Sequence, residues 1–79
     1  MTELITLNLL GLRCPEPLMV LRKNIRSLKE GQIIRVLTDD FSSTRDIKIF
    51  CHFMKHILLS FSIKKIPYQY IIKIGKIII

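Results

Sequence analysis

The reactive chemistry of this sequence is concentrated in one short stretch, Arg13-Cys14-Pro15-Glu16-Pro17. Two prolines restrict the backbone around the cysteine. Proline is also tolerated in the first turn of a helix, whose N–H groups have no intrahelical partner. Cys14 is therefore expected at or just before a helix N-terminus. The partial positive charge there, with Arg13 as a second cation, should stabilise a thiolate and bring the thiol from about 8.5 into the range of roughly 3.5–7.5. A cysteine merely filling a gap under a loop would fit poorly among two prolines and two charged residues.

The rest of a cysteine hydrolase or redox enzyme is missing. No Cys-x-x-Cys supplies a resolving thiol. A protease or amidase needs a base within reach of the thiol and an oxyanion hole, and the only imidazoles, His52 and His56, cannot be placed near Cys14 from sequence. A nucleophilic thiol without acid–base apparatus suits a carrier that attacks an activated sulfur, holds it as Cys–S–S⁻ and surrenders it to another protein. Exchange at sulfur depends on thiolate and access more than on proton shuttling. Cys51, flanked by Phe50, Phe53 and Met54, reads as a buried structural cysteine. With His52 and His56 it offers at most three metal ligands and no further cluster, so neither metal nor cofactor is expected.

The elements that must position Cys14 follow from the pattern. Residues 4–8 read as a short strand. The helix after the prolines should run to about Leu28, with Leu18, Leu21, Ile25 and Leu28 as its apolar stripe, basic residues toward its C-terminal end, and Gly31 as its stop. Residues 32–38 form a β-branched-rich strand. Asp39-Asp40-Phe41-Ser42-Ser43 is a loop ending in N-cap candidates. A second helix is expected over about 44–55, burying Ile47, Phe50, Cys51 and Met54. Ile57, Leu59, Phe61 and Ile63 then alternate with more polar residues, which predicts a strand with that set buried. After a turn at 64–67 a return strand spans 68–74. The order β-α-β-α-β-β makes the fold an α/β (α+β) two-layer sandwich, a four-stranded mixed sheet with two helices on one face.

The stretch Leu10-Gly11-Leu12-Arg13-Cys14-Pro15-Glu16-Pro17 resembles the signature of the TusA/SirA family of small sulfur-carrier proteins. The likeness continues through Arg22-Lys23, Gly31, Asp39-Asp40, Thr44-Arg45-Asp46-Ile47, Phe50-Cys51, Phe53-Met54, His56 and Pro67-Tyr68. It covers nearly the whole chain, and its Cys-Pro-x-Pro core is specific. The resemblance implies a fold like the C-terminal domain of translation initiation factor 3. It implies that Cys14 accepts persulfide sulfur from a cysteine desulfurase and passes it to a downstream sulfur-relay protein, for 2-thiolation of the tRNA wobble uridine. That is a sulfurtransferase-type carrier with a covalent cysteine persulfide intermediate rather than a stand-alone enzyme. Arg13, Glu16, Asp40 and Arg45 are candidates for tuning the thiol or docking a partner; Asp39, Asp40, Arg45 and Asp46 together could form a polar docking rim or simply cap and solvate the start of the second helix. The chain departs from the family at its short start and its apolar, basic tail, Ile74-Gly75-Lys76-Ile77-Ile78-Ile79.

Composition agrees with one small domain over residues 1–79. The chain is 49% hydrophobic and 24% charged, close to the globular norm, which excludes a disordered or collagenous protein. Two cysteines exclude a disulfide-rich scaffold. The longest uncharged stretch, residues 4–12, is nine residues long, where a membrane helix needs about 20. Glu3, and the lack of Lys or Arg before the apolar stretch, are unlike an export signal, so a cytoplasmic monomer with reduced thiols is expected. The basic charge is uneven, net +1 over residues 1–40 (6 basic, 5 acidic) and net +6 over 41–79 (7 basic, 1 acidic). The 15 Ile and 8 Lys match AT-rich coding bias, and no dense Lys/Arg run tracks a phosphate backbone, so stable direct tRNA binding is not expected. Two other readings compete. One is a basic RNA-binding module using Tyr68, Tyr70 and Lys73. The other is a paralogous Cys-Pro-x-Pro protein of selenium or molybdenum-cofactor metabolism or redox regulation.

Overall fold

A computed structural model describes residues 4–75. Its elements are β1 (Ile5–Asn8), α1 (Glu16–Ile25), β2 (Ile33–Thr38), α2 (Ser42–Phe53), β3 (Ile57–Ser62) and β4 (Tyr68–Lys73), in the order anticipated. The strands lie β1-β2-β4-β3. β1 runs parallel to β2, and β4 is antiparallel to both β2 and β3. Period-two alternation in β2 buries Ile34, Val36 and Thr38. Ile34 and Val36 meet Ile72 and Tyr70 across the β2–β4 ladder. Leu21 and Ile25 of α1, with Ile47, Phe50 and Cys51 of α2, close over this one face as a single core. Each such side chain contributes about 1.5–3 kcal/mol through burial.

Four expectations need correction. α1 stops at Ile25 rather than near Leu28. The next N–H groups of Ser27 and Leu28 bond three residues back, to Asn24 and Ile25, and the Ser27 hydroxyl competes for the Asn24 carbonyl. Leu28 still packs against the core. Gly31, expected to stop the helix, instead makes the turn into β2, with φ +90° and its N–H on the Ile74 carbonyl. α2 begins earlier than expected, at Ser42, and ends with Met54 outside the helix and exposed.

The largest departure is in β3. Leu58 pairs with Ile72 and Phe61 with Tyr70, both on the core side, and a bulge lies between Leu58 and Ser60. The extra residue brings an even- and an odd-numbered side chain to one face. Leu58 and Ile63 pack against the core, whereas Ile57, Leu59 and Phe61 remain 51%, 48% and 48% exposed. As an edge strand β3 has a neighbour on one side only. The Phe61 ring stacks on Tyr70 and is covered by the Lys48 ammonium, 3.9 Å from its centroid.

α2 terminates in a Schellman arrangement. The His56 N–H bonds to the Cys51 carbonyl and the Lys55 N–H to the His52 carbonyl. Lys55 holds the left-handed position (φ 60°) that usually belongs to glycine. The turn delivers His56 to the interior, against the Phe50 ring, where its Nδ1 accepts the Gly75 N–H at 2.9 Å. A Cβ on Gly75 would collide with the Lys55 carbonyl oxygen. Two substitutions twenty residues apart should therefore act in opposite directions. Lys55→Gly should stabilise by about 1 kcal/mol, by relieving the left-handed strain. Gly75→Ala should destabilise by about 1–3 kcal/mol, as overpacking does. Urea denaturation of the two variants checks both signs.

Candidate functional site

The loop that carries Cys14 starts as an extension of β1. The Leu9 N–H continues the parallel ladder to the Leu37 carbonyl at 2.8 Å, and the Leu9 side chain is buried. The chain then turns. Leu10 N–H bonds to Asn8 Oδ1, and Gly11 adopts φ +86°, a conformation that a side chain would strain. The Gly11 N–H donates to Asp39 Oδ1 at 3.0 Å, and the Arg13 guanidinium donates to the same oxygen at 2.8 Å. One residue on, the Cys14 N–H donates to Asp40 Oδ2 at 2.8 Å. The Cys14–Pro15 peptide is cis, and α1 begins with Glu16 and Pro17 in its first turn.

Asp40 holds the site from beneath. It is buried and takes the Ser43 hydroxyl at 2.8 Å as well as the Cys14 N–H. It also accepts from the Ser42 N–H. The serines expected as N-caps are thus inside the helix. Phe41 stands at the cap position without a capping side chain, and Asp40 supplies the acceptor from one residue earlier. Its carboxyl is held below the ordinary 3.8, first by the Ser43 hydrogen bond. Asp39 is likewise lowered, first by the Gly11 N–H and then by Arg13.

The thiol itself is exposed, and it donates to Asp46 Oδ2 at 3.4 Å. This contact raises the Cys14 pKa above the ordinary 9.0. Slight desolvation and the charges on Asp46 and Asp40 act in the same direction. The expectation of a thiol lowered by a helix N-terminus is therefore overturned. The helix starts at Glu16, two residues beyond the sulfur, and Arg13 is paired with Asp39. The groups closest to the sulfur are carboxylates, which favour the neutral form.

Of the residues singled out from sequence, Cys14, Arg13 and Asp40 converge. Glu16 is exposed in the first turn of α1, and its side chain has no hydrogen-bond partner among the described residues. Arg45 is exposed and lines an open depression of about 450 Å³ with Phe41, Ser42, Thr44 and Asp46. Asp39 and Asp46, weighed only as members of a rim, prove to be direct partners of the loop and of the thiol. Their signals in the sequence were their acidic type beside a helix start and their place in the family resemblance. Cys51 is buried, and desolvation pushes its thiol up to about 11. His52 is exposed, His56 is committed to Gly75, and neither is a hydrogen-bond partner of Cys14. No group of three or more His, Cys, Asp or Glu that could hold a metal occurs among the described residues.

A family model described as Sulfurtransferase TusA matches residues 5–75, from the first residue of β1 through the whole Cys14 loop to Gly75.

Alkylation of Cys14 by a small electrophile should rise with pH through a midpoint above 9.0. A midpoint near 7 would mean that Arg13 or the helix outweighs the carboxylates. Asp39 and Asp40 are lowered on folding, so the stability they contribute is present above about pH 4 and is lost as pH falls below it. Protection of the Gly11 and Cys14 amides, measured against the intrinsic exchange rate at each pH, should fall in that acid range before that of the core. Asp40→Ala should produce the same loss of protection at Cys14 at neutral pH.

Proposed function

The chain belongs to the TusA sulfurtransferase family, and from that membership we propose that it is one sulfur-carrier domain whose Cys14 accepts persulfide sulfur from a cysteine desulfurase and relays it to a downstream protein for 2-thiolation of the tRNA wobble uridine. One observation carries the assignment of the sulfur to Cys14. An exposed thiol stands on a loop whose backbone is gripped at two points by carboxylates, while the second thiol is buried in the core. The site supplies presentation and access. A hydrolytic cysteine would require an imidazole or comparable base at the sulfur, and the group found there is the Asp46 carboxylate.

The RNA-binding alternative needs open aromatic faces on which bases stack. Tyr70 is 0% exposed on the core side of the sheet, and Tyr68 packs its ring edge-on to Phe41 at 6.1 Å. The carrier reading therefore assigns tRNA handling to the modifying enzyme downstream. It also takes the protein as a cytoplasmic monomer with reduced thiols. No helix among the described residues is long and apolar enough to cross a membrane.

Incubation with a desulfurase and cysteine should add one sulfur atom to the wild-type protein, detected by mass spectrometry. Cys51→Ser should load equally and Cys14→Ser not at all. Loading of Cys14→Ser would move the site to Cys51. Any tRNA retention should fade at physiological salt, with log affinity falling about 0.7–0.9 per phosphate contact per log unit of salt. Tight salt-resistant tRNA binding without affinity for a desulfurase would favour the RNA-binding reading.

A further inference from the structure

The surroundings of the Cys14 sulfur are anionic. Asp46 accepts its proton in a hydrogen bond at 3.4 Å. Asp40 lies under the same residue, on its backbone N–H. Arg13, next to Cys14 in the chain, is joined to Asp39 at 2.8 Å, which offsets that pair. Arg45 is exposed and makes no hydrogen bond or ion pair with any described residue. Reactive cysteines as a class sit in electropositive surroundings, and this one does not. Such a setting is unfavourable for a nucleophile, so its value must lie in another step.

That step is discharge. An S–SH group is more acidic than the parent thiol, so the loaded site carries Cys14–S–S⁻ where the empty site carries neutral Cys14–SH. The outer sulfur is one S–S bond from Sγ, about 2.05 Å. It therefore lies no more than about 5.5 Å from the Asp46 carboxylate. We propose that Asp46 biases Cys14 toward giving up sulfur, by hydrogen-bonding the empty thiol and repelling the loaded persulfide anion. The proposal rests on the carrier reading and concerns the onward half of the relay. In that half an acceptor thiol R–SH attacks the outer sulfur, as its thiolate. A bond forms between the acceptor sulfur and the outer sulfur, and the bond from the outer sulfur to Cys14 Sγ breaks. Sγ leaves with the electron pair and takes up the proton released by R–SH. The products are R–S–S⁻ and Cys14–SH. The acceptor sulfur is oxidised, Sγ is reduced, and the negative charge leaves with the cargo. The Sγ proton then restores the hydrogen bond to Asp46. Two unit charges about 4–5.5 Å apart in water-like surroundings shift an equilibrium about three- to fivefold.

The test charges the protein with inorganic polysulfide, removes the excess, and mixes it with one equivalent of glutathione at pH 7.5, so that little free thiol remains to convert glutathione persulfide into disulfide and hydrogen sulfide. The ratio of persulfide to thiol at Cys14 is read by peptide mass spectrometry, which keeps Cys51 out of the count. Asp46→Asn and the equally uncharged Asp46→Ser should retain a ratio about three- to fivefold above wild type. Asp46→Glu, which keeps the charge, should stay close to wild type. The difference should narrow at 1 M salt, where the screening length is about 3 Å. Uncharged variants at or below the wild-type ratio would overturn the proposal. So would an Asp46→Glu ratio as high as that of Asp46→Asn, or a difference indifferent to salt. No desulfurase is present, so failure of the wild type to load from a desulfurase would defeat the carrier reading while leaving this ratio measurable.

Discussion

Two adjacent carboxylates at the end of β2 hold the functional loop in place. A loop between a strand and a helix leaves backbone N–H groups without ladder partners, and each needs an acceptor. Asp39 supplies one to Gly11 and Asp40 supplies one to Cys14. Both aspartates follow β2, the parallel neighbour of β1, so the two ends of the site are brought together by the sheet itself. The Leu9 N–H on the Leu37 carbonyl continues this pairing to within two residues of Gly11. Asp40 also serves the start of α2 through Ser42 and Ser43. One buried carboxylate thus ties β2, the thiol loop and the second helix together.

This way of holding a cysteine leaves its sulfur free. The grip is on the backbone, through N–H groups at Gly11 and Cys14, and the cis Cys14–Pro15 peptide and Pro17 lead the chain directly into α1. The side chain contributes nothing to packing, in contrast to Cys51, which fills the core between the helices and the sheet. The two cysteines therefore differ in the two properties that govern sulfur exchange, access and thiolate character. Cys51 has neither. Cys14 has access, and its thiolate character is restrained by Asp46 and Asp40. A neutral resting thiol is protected against adventitious oxidation and alkylation, which attack the thiolate.

Much of this protein was legible in its sequence because the governing signals are local. Pro15 and Pro17 restrict the backbone wherever they occur, the 3.6-residue spacing of Leu18, Leu21 and Ile25 marks a buried helix face, and the β-branched-rich run of residues 32–38 marks a strand. These fixed the order of the elements, and with it the mixed two-layer sheet, the exposed position of Cys14 and the interior position of Cys51. The tertiary structure decided what depends on residues distant in the chain. The bulge in β3 arises where Leu58 and Phe61 must both meet a core-facing neighbour on β4, and no period-two pattern encodes that. The electrostatics of the thiol are of the same kind. Arg13, one residue from Cys14, suggested an activating cation, but it is paired with Asp39, 26 residues away, while Asp46, 32 residues from the sulfur in sequence, is its hydrogen-bond partner. Charge acts through space at a few ångströms, so the exposed position of Cys14 could be read from the chain, and the sign of the field upon its thiol could not.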